Sequence, residues 1–190
     1  MGTRSDIIVH GSDGKWRRIY CHWDGYLENN GRILFDHYTD QKHVDALVAL
    51  GDLSKLGEVI GKKHPFTQPP ASLWDGKTYS DNPAYAAFKK KYGKWCVAYG
   101  RDRGDKDTAA AVGDSLFEVW PEGETWTEFT YVWDNDKWYV GVPDEGSQTL
   151  RDLGDALQGK VTVHAVVKLF GAPIGKHQPT EPGKPHGWVR

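Results

Sequence analysis

Four consecutive residues, Cys21, His22, Trp23 and Asp24, set a thiol, an imidazole, an indole and a carboxylate at the end of the stretch IYCHWDG. Cys21, His22 and Asp24, joined by His37 or His43, have the donor types of a metal site. Cys21 with His37 has the types of a cysteine nucleophile and its base, and His22, Asp24 and His37 those of acid–base catalysis. The spacing does not support a metal, since no C-x2-C or H-x3-H pair accompanies the cluster, and a reactive thiol would need an electropositive, partly open setting that no sequence pattern here supplies. The same residues suit a strand end, with Cys21 inward, Trp23 packed and Asp24-Gly25 making the turn. The segment is therefore read as a strand running into a turn, with His22, Trp23 and Asp24 lining a pocket. No catalytic residue, metal or cofactor is assigned.

AYGRDRG, residues 98–104, is the stronger binding candidate. Two glycines bracket Arg101 and Arg103 just past a strand end, beside Tyr99. Such a loop can aim backbone amides and guanidinium forks at one phosphate or carboxylate. The competing reading is a solvated turn in which Asp102 and Asp105 neutralise the arginines. Lys89, Lys90 and Lys91 end a helix, where cations complement the helix dipole without any ligand.

The elements that must position these groups are legible. SDIIVH and KWRRIYC flank Asp13-Gly14, a two-residue hairpin signal that sets Ile8 opposite Ile19 and Ile7 opposite Tyr20. NNGRILFDHY reads as a short helix ending near Tyr38. Asp40 caps a second, with Val44, Leu47 and Val48 at helical spacing and Gly51 as its stop. DLSKLGEVIG continues as a tight turn or short helix. Residues 62–81 read as an ordered loop, and Asn82-Pro83 opens a helix over PAYAAFKKKY. KWCVAYG is a strand and RDRGDKDT a charged loop. In TEFTYVWDNDKWYVGV a two-residue loop at Asn135-Asp136 pairs Trp133 with Trp138, Tyr131 with Val140 and Phe129 with Val142, giving one wholly apolar face. SQTLRDLGDALQG reads as a helix from Ser147 to Gly159, and KVTVHAVVKLF as a last strand.

Strands arriving in hairpins make the class α+β: a single domain over residues 1–170, its mainly antiparallel sheet packed with three or four helices. Residues 171–190 form an extended Pro/Gly-rich tail, expected to be held along the body or across a homodimer. Lys and Arg number 24 against 26 Asp and Glu, a balance that gives no strong nucleic-acid signal. Two cysteines exclude a disulfide framework, and no apolar run is long enough for a membrane span. Nine Trp and nine Tyr point to a densely packed core, a stacking surface, or both.

Gly113-Asp114-Ser115-Leu116 matches the tetrapeptide of an esterase family by chance, since the downstream Asp-x-x-His which that family needs is missing. Over residues 4–150, IYCHWDGYLENNGRIL, HYTD, LGDLSKLGE, AYGRDRG and EFTYVW resemble a family of small proteins carried by tailed bacteriophages and prophages. That resemblance implies a setting, the cytoplasm of an infected bacterium, and no reaction. The aromatics and the Arg101–Arg103 loop suggest a protein that sequesters a phosphate-bearing, nucleotide-like host ligand, and the resemblance implies an accessory role in countering host defence. The expected contacts are Arg101, Arg103, His22, Trp23, Asp24 and Tyr99. An enzyme acting on a nucleotide or phosphoester through Cys21, His22, Asp24 and His37 is the alternative. A protein-binding inhibitor or virion component is another.

Overall fold

The computed structural model describes residues 2–65, 83–120, 127–141, 149–160 and 163–165. Most of the proline-bearing loop, the proposed caps Asn82 and Ser147, the partner position Val142 and the tail 171–190 lie outside them.

Nine strands among these residues make one sheet: β1 (Ser5–His10), β2 (Trp16–Trp23), β3 (Leu53–Lys55), β4 (Val97–Ala98), β5 (Ala111–Gly113), β6 (Phe129–Asp134), β7 (Lys137–Gly141), β8 (Thr149–Asp152) and β9 (Val163–Ala165). The order is β4-β3-β2-β1-β6-β7-β8-β9, with β5 also pairing β2. β1 with β6 and β2 with β3 are parallel; the other pairings are antiparallel. The helices are α1 (Arg32–His37), α2 (Gln41–Val48), α3 (Pro83–Tyr92), α4 (Leu116–Val119) and α5 (Leu153–Leu157). The fold is α+β.

Period-two alternation gives the sheet two buried faces. Ile7, Val9, Ile19, Cys21, Leu53, Tyr131, Trp133, Trp138 and Val140 enter the larger core with Leu34, Val44, Leu47 and Leu153 of the helices. The alternate residues Ile8, Trp16, Val132 and Leu150 meet Leu116, Val119 and Trp120 on the opposite side. The β6–β7 register is as the sequence indicates, with Trp133 opposite Trp138 and Tyr131 opposite Val140. Both turn residues take positive φ, 47° at Asn135 and 58° at Asp136, as the tight two-residue turn requires. Asp40 caps α2 by accepting the His43 N–H at 3.0 Å.

Three expectations are corrected. The first hairpin is one residue out of the expected register: Ile7 pairs with Ile19 and Ile8 with Arg18. Its loop spans Gly11 to Lys15, closed by Gly11 N–H to the Lys15 carbonyl at 2.8 Å and by the Asp13 carboxylate gripping Arg17 at 2.7 and 2.6 Å. That register puts both isoleucines in the larger core. Leu53–Lys55 is a strand beside β2, not a turn or helix, because Leu53 is needed in the core next to Cys21. The expected helix from Ser147 begins only at Leu153: Thr149–Asp152 is a strand on β7, Leu150 is buried, and Asp152 caps α5 through the Asp155 N–H at 2.9 Å.

Trp133 is 1% exposed, and its indole N–H donates to Gln41 Oε1 at 3.0 Å. Trp133→Ala should cost about 3–5 kcal/mol in urea unfolding. A loss below about 0.5 kcal/mol, the range of surface substitutions, would contradict its place at the centre of the core.

Candidate functional site

Strand alternation separates the four residues of the opening motif. Cys21 faces the larger core, fully buried, where Asn30 Nδ2 donates to its sulfur at 3.4 Å. Burial pushes its thiol up to about 12, so it is not a thiolate near neutrality. His22 faces the opposite side of the sheet, its Nδ1 2.8 Å from the Tyr20 hydroxyl. Trp23, 46% exposed, ends the strand with its ring 4.6 Å from that of His22. Asp24 takes a φ of 58°, and its carbonyl receives the Asn30 N–H at 3.3 Å. Gly25 must be glycine: a Cβ there would lie 2.7 Å from the Arg4 carbonyl carbon. His37 pairs instead with Glu58, at 3.8 Å. Cys21, His22, Asp24 and His37 therefore do not converge on one point. Among the described residues no group of three His, Cys, Asp or Glu side chains could hold a metal.

Arg101 turns inward. A π-helical turn over Tyr99–Arg103 brings its Nε and Nη2 onto Asp102 at 2.7 and 2.8 Å. Nη2 also reaches the Cys96 carbonyl at 2.6 Å, and Nη1 the carbonyls of Ile60 and Gly61 at 2.9 and 3.4 Å. All five N–H donors of the fork are engaged within the chain. Asp102 in turn accepts the backbone N–H groups of Ala98 at 2.7 Å and His64 at 2.8 Å. Burial pushes its carboxyl up, but Arg101 and these N–H groups outweigh it and hold the carboxyl below its ordinary range. The pair is a clasp joining β4, the turn and the chain at 60–64. Arg103 is more exposed and pairs with Asp105 at 3.2 Å.

The groups that do converge lie on the face opposite the larger core. β2 presents Arg18, Tyr20 and His22 there; β1 presents Asp6, directly across from Tyr20. Asp52, just before β3, completes the cluster, because β2 changes neighbour midway: residues 16–18 pair with β5, whereas Cys21 and Trp23 pair with β3. The Tyr20 N–H falls in the fork between those two partners and donates to Asp52 Oδ1 at 2.8 Å. Gly51 allows this, with a φ of 72° and no room for a Cβ beside the Thr108 carbonyl. Thr127 donates its hydroxyl to Asp6 Oδ2 at 3.0 Å. Arg4 lies beside the Tyr20 hydroxyl, and the Tyr99 hydroxyl is bonded with Ser54 of β3.

The electrostatics of this half-face are unusual. Asp6 is 6% exposed; burial raises its carboxyl above the ordinary range, opposed by Arg18 and Thr127. Burial raises Asp52 too, and the Asp6 charge adds to it while the Tyr20 N–H opposes. His22 is held below its usual value by burial and then by Arg4, so its ring is neutral near pH 7. Arg18 is half-buried. It feels both carboxylates, yet its guanidinium makes no hydrogen bond or ion pair with a described residue. Of the residues singled out from sequence, His22, Trp23 and Tyr99 border this cluster, and Arg101 is committed elsewhere. Asp6, Arg18, Tyr20 and Asp52 went unnoticed; the polar residues at 18, 20 and 22, alternating with Ile19 and Cys21, carry the signal.

No family model, curated protein or solved structure matches the chain. Among the described residues no helix is long and apolar enough to cross a membrane.

Two outcomes test this geometry. Arg101→Ala leaves buried Asp102 without its partner and should cost about 3 kcal/mol, read by chemical denaturation, whereas Arg103→Ala should stay within about 0.5 kcal/mol. Equal, small losses would mean that the clasp does not form. For Asp52 the folded carboxyl lies above its unfolded value of 3.8, so stability is lost as pH rises through the folded value. Asp52→Asn, which keeps an acceptor for Tyr20, should melt higher than the native protein at pH 7, with the advantage shrinking towards pH 3. A lower melting point for the variant at pH 7 would reverse that sign.

Proposed function

We propose that the protein binds a small phosphate-bearing ligand of nucleotide type on this half-face, without transforming it. Arg18 carries the reading. Its guanidinium is half-buried beside Asp6 and Asp52, yet its nitrogens are not among the buried unpartnered atoms, so its donors stay open to an incoming anion. A phosphate oxygen pair is the partner whose geometry matches the fork. The rings of His22 and Trp23, with Tyr20 and Tyr99 beside them, offer a stacking surface for a base, and Arg4 and Arg103 add positive charge at its margin. Binding needs only this anion contact and a platform. Catalysis would also need a nucleophile or a proton donor aimed at the reacting atom, a role that buried Cys21 does not fill. In the setting that the phage resemblance implies, the ligand is a host nucleotide withheld from its receptor.

Arg18→Ala should weaken binding of a 5′-mononucleotide about 10- to 100-fold by isothermal titration calorimetry, the range for losing charge-assisted hydrogen bonds. The variant should fold but melt somewhat lower, since Arg18 offsets the burial of Asp6 and Asp52 without bonding either. Arg101→Ala should act on stability instead. Unchanged affinity in a folded Arg18→Ala protein would remove the basis of this reading.

A further inference from the structure

The carboxylates beside Arg18 set a condition on what the site accepts. Thr127 occupies Asp6 Oδ2 at 3.0 Å and the Tyr20 N–H occupies Asp52 Oδ1 at 2.8 Å. Asp6 Oδ1 and Asp52 Oδ2 then remain without a hydrogen bond among the described residues, and both can only accept when ionised. An oxyanion docking on Arg18 with no proton of its own would set lone pairs against these oxygens at short range, a repulsion that offsets the attraction of the guanidinium.

We propose, resting on the Arg18 reading, that the site selects phosphate still carrying an O–H, as in inorganic phosphate or a phosphomonoester, and rejects sulfate and phosphodiesters. The P–OH donates to Asp6 Oδ1 or Asp52 Oδ2 while the remaining oxygens face Arg18, and an O–H to carboxylate bond is among the short, strong kinds. A phosphomonoester has its second pKa near about 6, so a protonated fraction persists close to neutrality. Sulfate and diesters have no such proton. The other groups facing the site are compatible. From β2, the Tyr20 hydroxyl and His22 Nδ1 bond each other, and the neutral His22 adds no cation. From β3 and the adjoining turn, Ser54 and Tyr99 bond each other. Arg4 lies at Tyr20, Thr127 is bonded to Asp6, and Arg103 is paired with Asp105. Burial raises both carboxyls, and the Asp6 charge adds to it at Asp52, which strengthens their demand for a proton.

Calorimetric titration of the full chain at pH 6.5 and constant ionic strength tests this, with inorganic phosphate against sulfate and 5′-AMP against 3′,5′-cyclic AMP. Phosphate and 5′-AMP should each bind at least about tenfold tighter than their counterparts, and phosphate affinity should fall by up to about tenfold per pH unit above pH 7. Asp6→Asn and Asp52→Asn retain an acceptor for Thr127 and Tyr20 but present an N–H to the anion, so either should narrow the phosphate-to-sulfate ratio by admitting sulfate. The native ratio stands even if a variant misfolds. Sulfate binding as tightly as phosphate to the native protein would overturn the selectivity and leave the Arg18 reading intact. Binding of neither anion would overturn both.

Discussion

A strand that changes neighbour midway leaves one backbone N–H with no ladder partner, and a buried N–H must be satisfied. Here that group is the Tyr20 N–H, and the Asp52 side chain receives it at 2.8 Å. The bond lies where β2 passes from β5 to β3, and the Asp52 backbone extends the brace: its N–H reaches the Thr108 carbonyl at 2.7 Å and its carbonyl accepts the Tyr99 N–H at 3.0 Å. One residue therefore ties β2 to the chain ahead of β5 and to the turn after β4. It also brings a carboxylate to the face where Asp6 and Arg18 already stand. Structure and candidate site share this constraint.

Two arginines show that residue type alone does not say which guanidinium is open. Arg101, between glycines in a charged loop, has the sequence appearance of an anion receptor. Its five donors close a clasp around Asp102 and three backbone carbonyls. Arg18, inside an ordinary strand, lacks such internal partners among the described residues. Loop residues are often functional because loops are accessible, but a guanidinium that satisfies its own loop is not accessible in the sense that matters.

The legible parts of the fold were those fixed by local pattern. The Trp133–Trp138 register follows from a two-residue turn and unbroken alternation. The cap at Asp40 and the stop at Gly51 follow from side-chain and backbone chemistry within a few residues. What failed was decided elsewhere. The first hairpin closes through a loop longer than the Asp13-Gly14 signal suggests, from Gly11 to Lys15, in the register that buries both Ile7 and Ile19. Leu53 and Leu150 became strand residues because a neighbouring strand had an open edge and a core had room, information that no short window contains. The candidate site is legible only in part: the polar alternation at 18, 20 and 22 shows in the sequence, whereas Asp6 and Asp52 are brought beside it by sheet pairing.

The parallel pairing of β1 with β6 joins residues about 124 positions apart, Ser5 beside Phe129. During synthesis the first hairpin can close on its own, yet the outer edge of β1, carrying Ile7, Ile8 and Val9, has no partner until β6 is made. Native topology of this kind slows folding, because loop closure precedes any gain from the long-range contact. It also leaves an apolar strand edge open for much of translation, a place where nascent copies can pair with one another. The sheet's central pairing thus makes the chain dependent on the pace of its own production.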